Sequence, residues 1–317
     1  MTNKNKQQIL ETMKKIAKFF AAAVIALSLG VAANAQDLNQ ATELYNNAAT
    51  ALNEGNNAGA LENFQKALEM ASALGDEGAA LATDCKGIIP KLLLQMGKEA
   101  ANAKDMDKAI ELIGQAEKLG TEYGLAEVAT DAKELVPQLY LAEGNSLLNE
   151  KNFAGAAAMY QKVLDLNGEN GVAWLRLGMA KANSGDTEGA IAAYTKAAEF
   201  GQKDAADKQL GNIYGKAAQA AYKAKNFAGT LENVLKANEY GFTKLNVYGG
   251  MAAFNLKKYD QTISLLEGDT SVNARYYLAR AYEAKGNNAK ACENYKAITS
   301  DKNFGAYATS KVGTLCK

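Results

Sequence analysis

The chain has 317 residues, with 35 basic residues, 35 acidic residues and no histidine. Without imidazole, it can form neither a Ser-His-Asp nor a Cys-His catalytic arrangement, nor any metal site built on histidine. Only two prolines occur and alanine recurs throughout, which predicts an almost entirely helical chain. The missing histidine leads us to expect no catalytic residue, metal or cofactor. Aspartate and glutamate are scattered along the chain, so acid–base catalysis by a carboxylate pair stays open at this stage.

The N-terminus has the form of an export signal. Lysines cluster in residues 14–18, residues 19–32 are mostly apolar, and residues 33–35 have the small-x-small sequence Ala-Asn-Ala that signal peptidase cuts. We therefore expect a signal peptide over residues 1–35, cleaved after Ala35. The product is expected in the periplasm or cell envelope, with secretion from the cell as the alternative.

Two alternatives concern this N-terminal segment. Met13 directly precedes the lysine cluster, so one alternative is that translation starts at Met13 and that residues 1–12 are not part of the product. The apolar stretch could also be an uncleaved membrane anchor, although it is shorter than the ~20 residues that span a bilayer. The favoured interpretation leaves no membrane span after cleavage.

Cleavage would change the charge balance. Removal of residues 1–35 takes away five lysines and one glutamate, which leaves 30 basic and 34 acidic residues and a net charge of −4. Nucleic-acid binding requires a concentrated positive surface. We therefore expect no nucleic-acid partner.

The chain contains an internal repeat with a period of 34 residues, which is typical of helical repeat proteins. Four residues reappear at this offset: Gly144, Asn149, Ala156 and Tyr160 return as Gly178, Asn183, Ala190 and Tyr194. Each unit has apolar or small residues at three- and four-residue spacing, which predicts two amphipathic helices joined by a polar turn.

The clearest unit resembles the tetratricopeptide repeat family. Its residues are Trp174, Leu177, Gly178 and Gly185 in the first helix and turn, followed by Ala190, Tyr194 and Ala197 in the second. Small residues at Gly178 and Ala190 let the two helices approach closely, while Trp174 and Tyr194 would fill the space beside them. The resemblance implies an all-α, right-handed superhelical solenoid of antiparallel helix hairpins.

We expect about seven repeats and a C-terminal capping helix. The first units are spaced by 49 and 47 residues, judged by Ala60, Ala109 and Ala156, which predicts helices extended by about three turns or an added short helix. The expected repeats are 41–89, 90–136, 137–170, 171–210, 211–242, 243–271 and 272–303, followed by a capping helix over 304–317.

Three cysteines leave an odd one in an exported protein. Cys292 lies in the second helix of the last repeat and Cys316 in the terminal helix, and a hairpin turning near Lys302 would bring them level. We predict a disulfide between them, the alternative being two small buried thiols. Cys85 is expected to be a buried packing residue.

Five asparagines recur at the end of successive first helices, seven residues before the small residue of the second helix. They are Asn53, Asn102, Asn149, Asn183 and Asn255. One hypothesis places them in the concave face, where a carboxamide can pair with a peptide backbone. The alternative is that they close the first helix in left-handed geometry, which asparagine tolerates.

By resemblance to peptide-binding members of the family, a further set of residues would face the concavity. They are Tyr45, Leu141, Asn145, Leu148, Met179, Gln219, Tyr222, Met251, Phe254 and Tyr276. The alternative is that they belong to the core, which weighs equally for Leu148 and Phe254. A carboxylate clamp is poorly supported, because its only candidate cations are Lys98, Lys223 and Arg280, in repeats that are not consecutive.

These features predict a non-catalytic scaffold of the cell envelope that holds a segment of a partner protein in its concave face. The alternative is a periplasmic binder of glycans or other small ligands, which would use Trp174 and the tyrosines as stacking platforms. The alternative requires exposed, clustered aromatic residues, whereas the scaffold hypothesis expects Trp174 to be buried inside its hairpin.

Overall fold

The structure, a computed structural model, describes residues 34–316, so the predicted signal peptide lies outside the described residues except for its last two. The described part is all-α and contains no strand, which confirms the predicted all-α solenoid class. Among these residues, no helix is both long enough and apolar enough to cross a bilayer. The helices are α1 (Asn34–Asn53), α2 (Asn57–Ala73), α3 (Ala79–Asn102), α4 (Met106–Glu122), α5 (Ala126–Asn149), α6 (Phe153–Leu166), α7 (Gly171–Ser184), α8 (Thr187–Ala197), α9 (Lys203–Lys223), α10 (Phe227–Glu239), α11 (Asn246–Asn255), α12 (Tyr259–Leu266), α13 (Val272–Ala284), α14 (Asn288–Lys296) and α15 (Gly305–Leu315).

Consecutive helices form hairpins, from α1 with α2 to α13 with α14, and every hairpin turn has one left-handed residue, followed by an amide that donates to the carbonyl five residues back. In the α7–α8 turn, Gly185 has a φ of +89° and the amide of Asp186 donates to the Lys181 carbonyl at 2.9 Å. The Asp186 carboxylate then accepts from the amide of Gly189 at 2.9 Å and caps α8. This Schellman closure joins the end of one helix to the start of the next without a longer loop. The left-handed residues of the turns are Gly55, Lys104, Lys151, Gly185, Lys225, Lys257 and Gly286.

The chain divides into two compact units, described here over residues 34–143 and 144–316. In the first unit, Phe64, Ile89, Leu93 and Ile113 form a fully buried core together with small alanines. The thiol of Cys85 lies in the same core, and burial raises its pKa to about 12. The thiol is therefore protonated at neutral pH and serves as a packing group.

Long helices explain the wide spacing of the first repeats. Helices α3 and α5 each have 24 residues, whereas α7 has 14. Three of the expected repeat borders, at 89/90, 136/137 and 210/211, consequently fall inside α3, α5 and α9. Each of these helices is the first helix of a hairpin, so the hairpins begin at Ala79, Ala126 and Lys203. The expected borders lie too late in the chain because the additional helical turns come before the small residues by which the repeats were aligned.

In the second unit, glycines of the first helices pack against large side chains of the second helices. A methyl group on Gly178 would lie 2.7 Å from carbon atoms of the Tyr194 ring, and one on Gly144 would lie 2.6 Å from the Tyr160 ring. Both tyrosines are almost completely buried, and burial raises the pKa of Tyr194 to about 12. The close approach that the sequence predicted at Gly178 is therefore present.

Trp174 is an exception to the predicted packing. Its side chain is half-buried against the cluster of Ala190, Tyr194 and Ala197, and is not enclosed within the hairpin. The indole Nε1 donates to the carbonyl of Gly168 at 2.7 Å, in the segment before α7. This hydrogen bond holds the ring at the edge of the cluster, so one side of it stays in contact with solvent.

The glycine packing is testable with a matched pair in the α3–α4 hairpin. A methyl group on Gly97 would lie 2.4 Å from Cγ1 of the fully buried Ile113, so Gly97→Ala should destabilise the protein by about 1–3 kcal/mol. Gly114 lies in α4 with open space around its Cα, so Gly114→Ala should raise stability by up to ~1 kcal/mol. Urea unfolding measures both, and effects of the same sign would contradict this packing.

Candidate functional site

One side of each first helix is built from residues spaced by three positions. Such residues lie close together on a helix surface, because three residues make most of a turn. In each hairpin, we take as one row the residues that lie ten, seven and four positions before the residue that precedes the second helix. The rows are Lys216, Gln219 and Tyr222 on α9, Tyr248, Met251 and Phe254 on α11, and Tyr277, Arg280 and Glu283 on α13.

Aromatic side chains of these rows contact one another from helix to helix. The ring centroids of Tyr222 and Tyr248 are 4.7 Å apart and meet edge to face. Phe254 contacts Tyr277 with centroids 5.3 Å apart, and Tyr277 contacts Tyr276 at the same distance. We call this surface the aromatic strip; it consists of Tyr222, Tyr248, Met251, Phe254, Tyr276, Tyr277 and Arg280.

Arg280 lies between two rings of the strip. Its guanidinium carbon is 4.5 Å from the centroid of Phe254 and 5.4 Å from that of Tyr276. One guanidinium nitrogen also donates to the Tyr276 hydroxyl at 3.4 Å. A guanidinium group carries five N–H donors, so most of its donors remain for a bound molecule. The cation–π contacts hold the side chain in place at about 0.5–1 kcal/mol each.

The strip is partly open to solvent. Tyr248 is 40% exposed, and the other members are half-buried. Burial raises the pKa of Tyr277, and the nearby Tyr222 and Tyr276 hydroxyls raise it further, while Arg280 opposes them. The Tyr277 hydroxyl is thus protonated at neutral pH and can donate a hydrogen bond.

Helix α15 closes one end of the strip. Phe304 stacks on Tyr276 with centroids 4.2 Å apart, and Tyr307 meets Tyr276 edge to face at 5.8 Å. Cys292 of α14 and Cys316, which follows α15, form a disulfide with their Cα atoms 5.5 Å apart. The end of the array is therefore held by covalent as well as aromatic contacts.

An ion pair adds to this attachment. Lys311 of α15 pairs with Glu283 of α13, and the Tyr295 hydroxyl donates to the same carboxylate at 2.8 Å. Burial alone would raise the pKa of Glu283, but the hydrogen bonds from Lys311 and Tyr295 outweigh it and lower the pKa. The carboxylate is therefore charged and already engaged.

The structure brings together only part of the predicted concave-face set. Tyr222, Met251, Phe254 and Tyr276 belong to the aromatic strip. Gln219 lies in the same row of α9 as Tyr222 and is exposed. The others lie outside the strip: Leu141, Leu148 and Met179 are half-buried, and Asn145 accepts a hydrogen bond from the Tyr160 hydroxyl at 2.9 Å.

Tyr45 was placed in the binding face wrongly. Only 8% of it is exposed, and its ring packs edge to face on Phe64 with centroids 5.3 Å apart. Burial raises the pKa of its hydroxyl to about 12. Tyr45 is a core residue because it fills the space between α1 and α2. Tyr160 and Tyr194 fill the corresponding space in later hairpins, although they belong to the second helix of the hairpin.

The recurring asparagines are exposed, and none of the five has left-handed geometry. A glycine or lysine two positions later has that geometry, so the hypothesis that asparagine closes the helix in this way is wrong. Asn183 and Asn255 instead donate to the carbonyls of Met179 and Met251, four residues back, at 2.9 and 2.8 Å. Their carboxamide oxygens remain as acceptors.

Side-chain helix caps lie three residues after four of the five recurring asparagines, whereas Lys258, three residues after Asn255, makes no such cap. The side chains of Asn56, Asn152, Asp186 and Asn226 each accept from the amide of a glycine three positions on. The sequence pattern Asn/Asp-x-x-Gly was therefore the signal for these caps. The same three-residue spacing could also have identified Tyr248 and Tyr277, which sequence reasoning missed.

The sequence profile of the tetratricopeptide repeat matches residues 147–210, a range that contains α6, α7 and α8. It includes the unit with Gly178 and Tyr194. Residues 147–210 are therefore a tetratricopeptide repeat region. The tetratricopeptide-like fold of the chain is consistent with a scaffold for protein–protein interaction.

Solved structures of other proteins match the chain at low identity. YrrB, described as a tetratricopeptide repeat protein with an unusual peptide-binding site, is 21% identical; the alignment covers 54% of this chain and 91% of YrrB, with a TM-score of 0.31. A tetratricopeptide repeat protein from Parabacteroides merdae is 12% identical over 88% of this chain and 100% of its own, with a TM-score of 0.28. PilF of Pseudomonas aeruginosa is 14% identical over 58% of this chain and 90% of its own, also with a TM-score of 0.28. No curated protein matches the chain.

Asn149 and Asn152 separate the two roles of asparagine at one turn. Asn152→Ala removes the hydrogen bond to the Gly155 amide and should cost about 0.5–2 kcal/mol. Asn149 is exposed and caps nothing, so Asn149→Ala should change stability by less than ~0.5 kcal/mol. Chemical unfolding of the two variants measures the difference, and equal losses would show that Asn149 is also a helix cap.

The disulfide can be tested through the order of α15. Reduction by a dithiol, or Cys316→Ser, should cost about 3 kcal/mol in the chain-entropy model and speed amide hydrogen exchange in α15. Adding reductant to the Cys316→Ser variant is the control and should change nothing further. Unchanged exchange in α15 after reduction, or free thiols at both positions in the unreduced mature protein, would refute the clamp.

Proposed function

We propose that the protein is a non-catalytic interaction scaffold of the cell envelope that holds a segment of a partner protein on the aromatic strip. The observation that carries the proposal is the strip itself, in which rings from α9, α11 and α13 contact one another and remain partly exposed. Tyrosine and arginine are enriched in the residues that dominate binding energy at protein interfaces.

The strip supplies both affinity and orientation. Covering Tyr248, Phe254 and the neighbouring tyrosines removes apolar surface from water, at about 25 cal/mol per Å² before the costs of association. The hydroxyls and Arg280 add directional hydrogen bonds, which fix the register of the bound segment.

The location in the envelope rests on two features. Residues 14–35 have the order of a basic region, an apolar region and a small-x-small site that marks an export signal. The disulfide between Cys292 and Cys316 supports an oxidising compartment, because such bonds are rare in the reducing cytosol.

A second candidate function is the binding of glycans or other small ligands. The clustering of the aromatics and the half-exposed ring of Trp174 favour it, since both were expected under this alternative. Against it, a sugar needs a free ring face, and one face of Phe254 is covered by Arg280 while one face of Tyr276 is covered by Phe304. We therefore favour a protein segment, which can also use ring edges.

Crosslinking in the native envelope, followed by identification of the captured protein, tests the scaffold function. Tyr222→Ala and Phe254→Ala should each reduce capture about tenfold, equivalent to ~1.4 kcal/mol of binding energy. Leu166 is 59% exposed in the second unit but lies outside the strip, so Leu166→Ala is the matched control and should capture as the wild type does.

Two outcomes would count against the proposal. Undiminished capture by both strip variants, with their helix content unchanged by circular dichroism, would show that the strip is not the binding surface. Quenching of Trp174 fluorescence by added saccharide, without capture of any protein, would favour the glycan alternative.

A further inference from the structure

We infer that the segment bound by the aromatic strip is rich in proline and takes the polyproline II conformation. This inference rests on the proposed function, because it specifies the chemistry of the partner at the same surface. The inference follows from the hydrogen-bond donors that the strip offers and from the carboxylate acceptors that it lacks.

The strip is rich in donors. Arg280 has donors beyond the one engaged by Tyr276, and Tyr248, Tyr276 and Tyr277 carry hydroxyl groups, whereas the Tyr222 hydroxyl already donates to the Met251 sulfur. None of its seven members carries a carboxylate, and the adjacent Glu283 is already engaged by Lys311 and Tyr295. A ligand that lies on the strip therefore meets many donors, while the hydroxyl oxygens are its main acceptors.

A polyproline II segment matches this chemistry. It has no internal hydrogen bonds, so all its carbonyl oxygens are free to accept. Each proline lacks an N–H, so it brings no backbone donor that would be buried without a partner. An ordinary extended peptide brings one N–H for every residue, and each donor left unpaired on binding weakens the complex.

Two other common modes of peptide recognition fit less well. Strand addition needs a sheet edge, and residues 34–316 contain no strand. Recognition of acidic motifs needs a cluster of arginines, whereas the strip has Arg280 alone. Aromatic-lined surfaces are the usual sites for proline-rich segments, which also lose little conformational entropy on binding because they are already extended.

Calorimetric titration of the mature protein, with its disulfide intact, tests the inference with three synthetic peptides of twelve residues. The first is rich in proline and uncharged, the second has its prolines replaced by alanine, and the third is acidic and free of proline. We expect the proline-rich peptide to bind at least about tenfold more tightly than either of the others. Phe254→Ala should abolish this preference, and Leu166→Ala should leave it unchanged.

A hydroxyl variant tests the hydrogen-bonding argument separately. Tyr277→Phe keeps the ring in contact with Phe254 but removes the donor, so it should weaken binding of the proline-rich peptide by a few-fold while helix content stays the same. A variant that binds as tightly as the wild type would contradict the role of the donor.

The outcomes separate this inference from the proposed function. If the alanine peptide binds equally well, or the acidic peptide binds more tightly, the inference is overturned. If none of the peptides binds while capture in the envelope still depends on Tyr222 and Phe254, the inference also fails but the scaffold function stands. Loss of both peptide binding and strip-dependent capture would overturn the two together.

Discussion

The close approach of two helices at a small residue is the contact on which each hairpin depends. Gly178 lies against the Tyr194 ring, and Gly250 lies as close to Leu266, so even one added methyl group would force the helices apart. A hairpin cannot bury its apolar side alone, and stacking on its neighbour completes the core. Because the side of each first helix that carries the small residue is fixed in this way, its remaining surface is fixed as well.

The aromatic strip follows from that constraint. Helices α9, α11 and α13 are oriented by their own hairpins, and each then presents a row of residues at three-residue spacing. Where the rows carry tyrosine and phenylalanine, the side chains meet between helices, as Tyr222 meets Tyr248 and Phe254 meets Tyr277. The terminal helix completes the arrangement through Phe304, and the disulfide keeps that helix in place. The binding surface is thus a consequence of regular packing rather than of a separate loop or domain.

Sequence reasoning reached the features that depend on local spacing and missed those that depend on context. The close approach at Gly178, with Tyr194 beside it, was predictable because both positions belong to one short period. Tyr45 was misplaced because a tyrosine on a first helix serves the core in one hairpin and the surface in another, and only the packing partner decides. Tyr248 and Tyr277 were missed because the aligned repeats have different residue types there. The repeat borders expected inside the long helices were misplaced for a related reason. An additional turn at the start of a helix has no distinct sequence signal that marks where the repeat begins.

The most direct measurement uses a photoreactive aromatic amino acid in place of Tyr248, with Leu166 replaced in the same way as the comparison. Both side chains are exposed in the second unit, at 40% and 59%, but only Tyr248 belongs to the strip. Irradiation of the native cell envelope should crosslink a partner protein from position 248 and none from position 166. Crosslinking from position 166 alone would contradict the assignment of the strip as the binding surface.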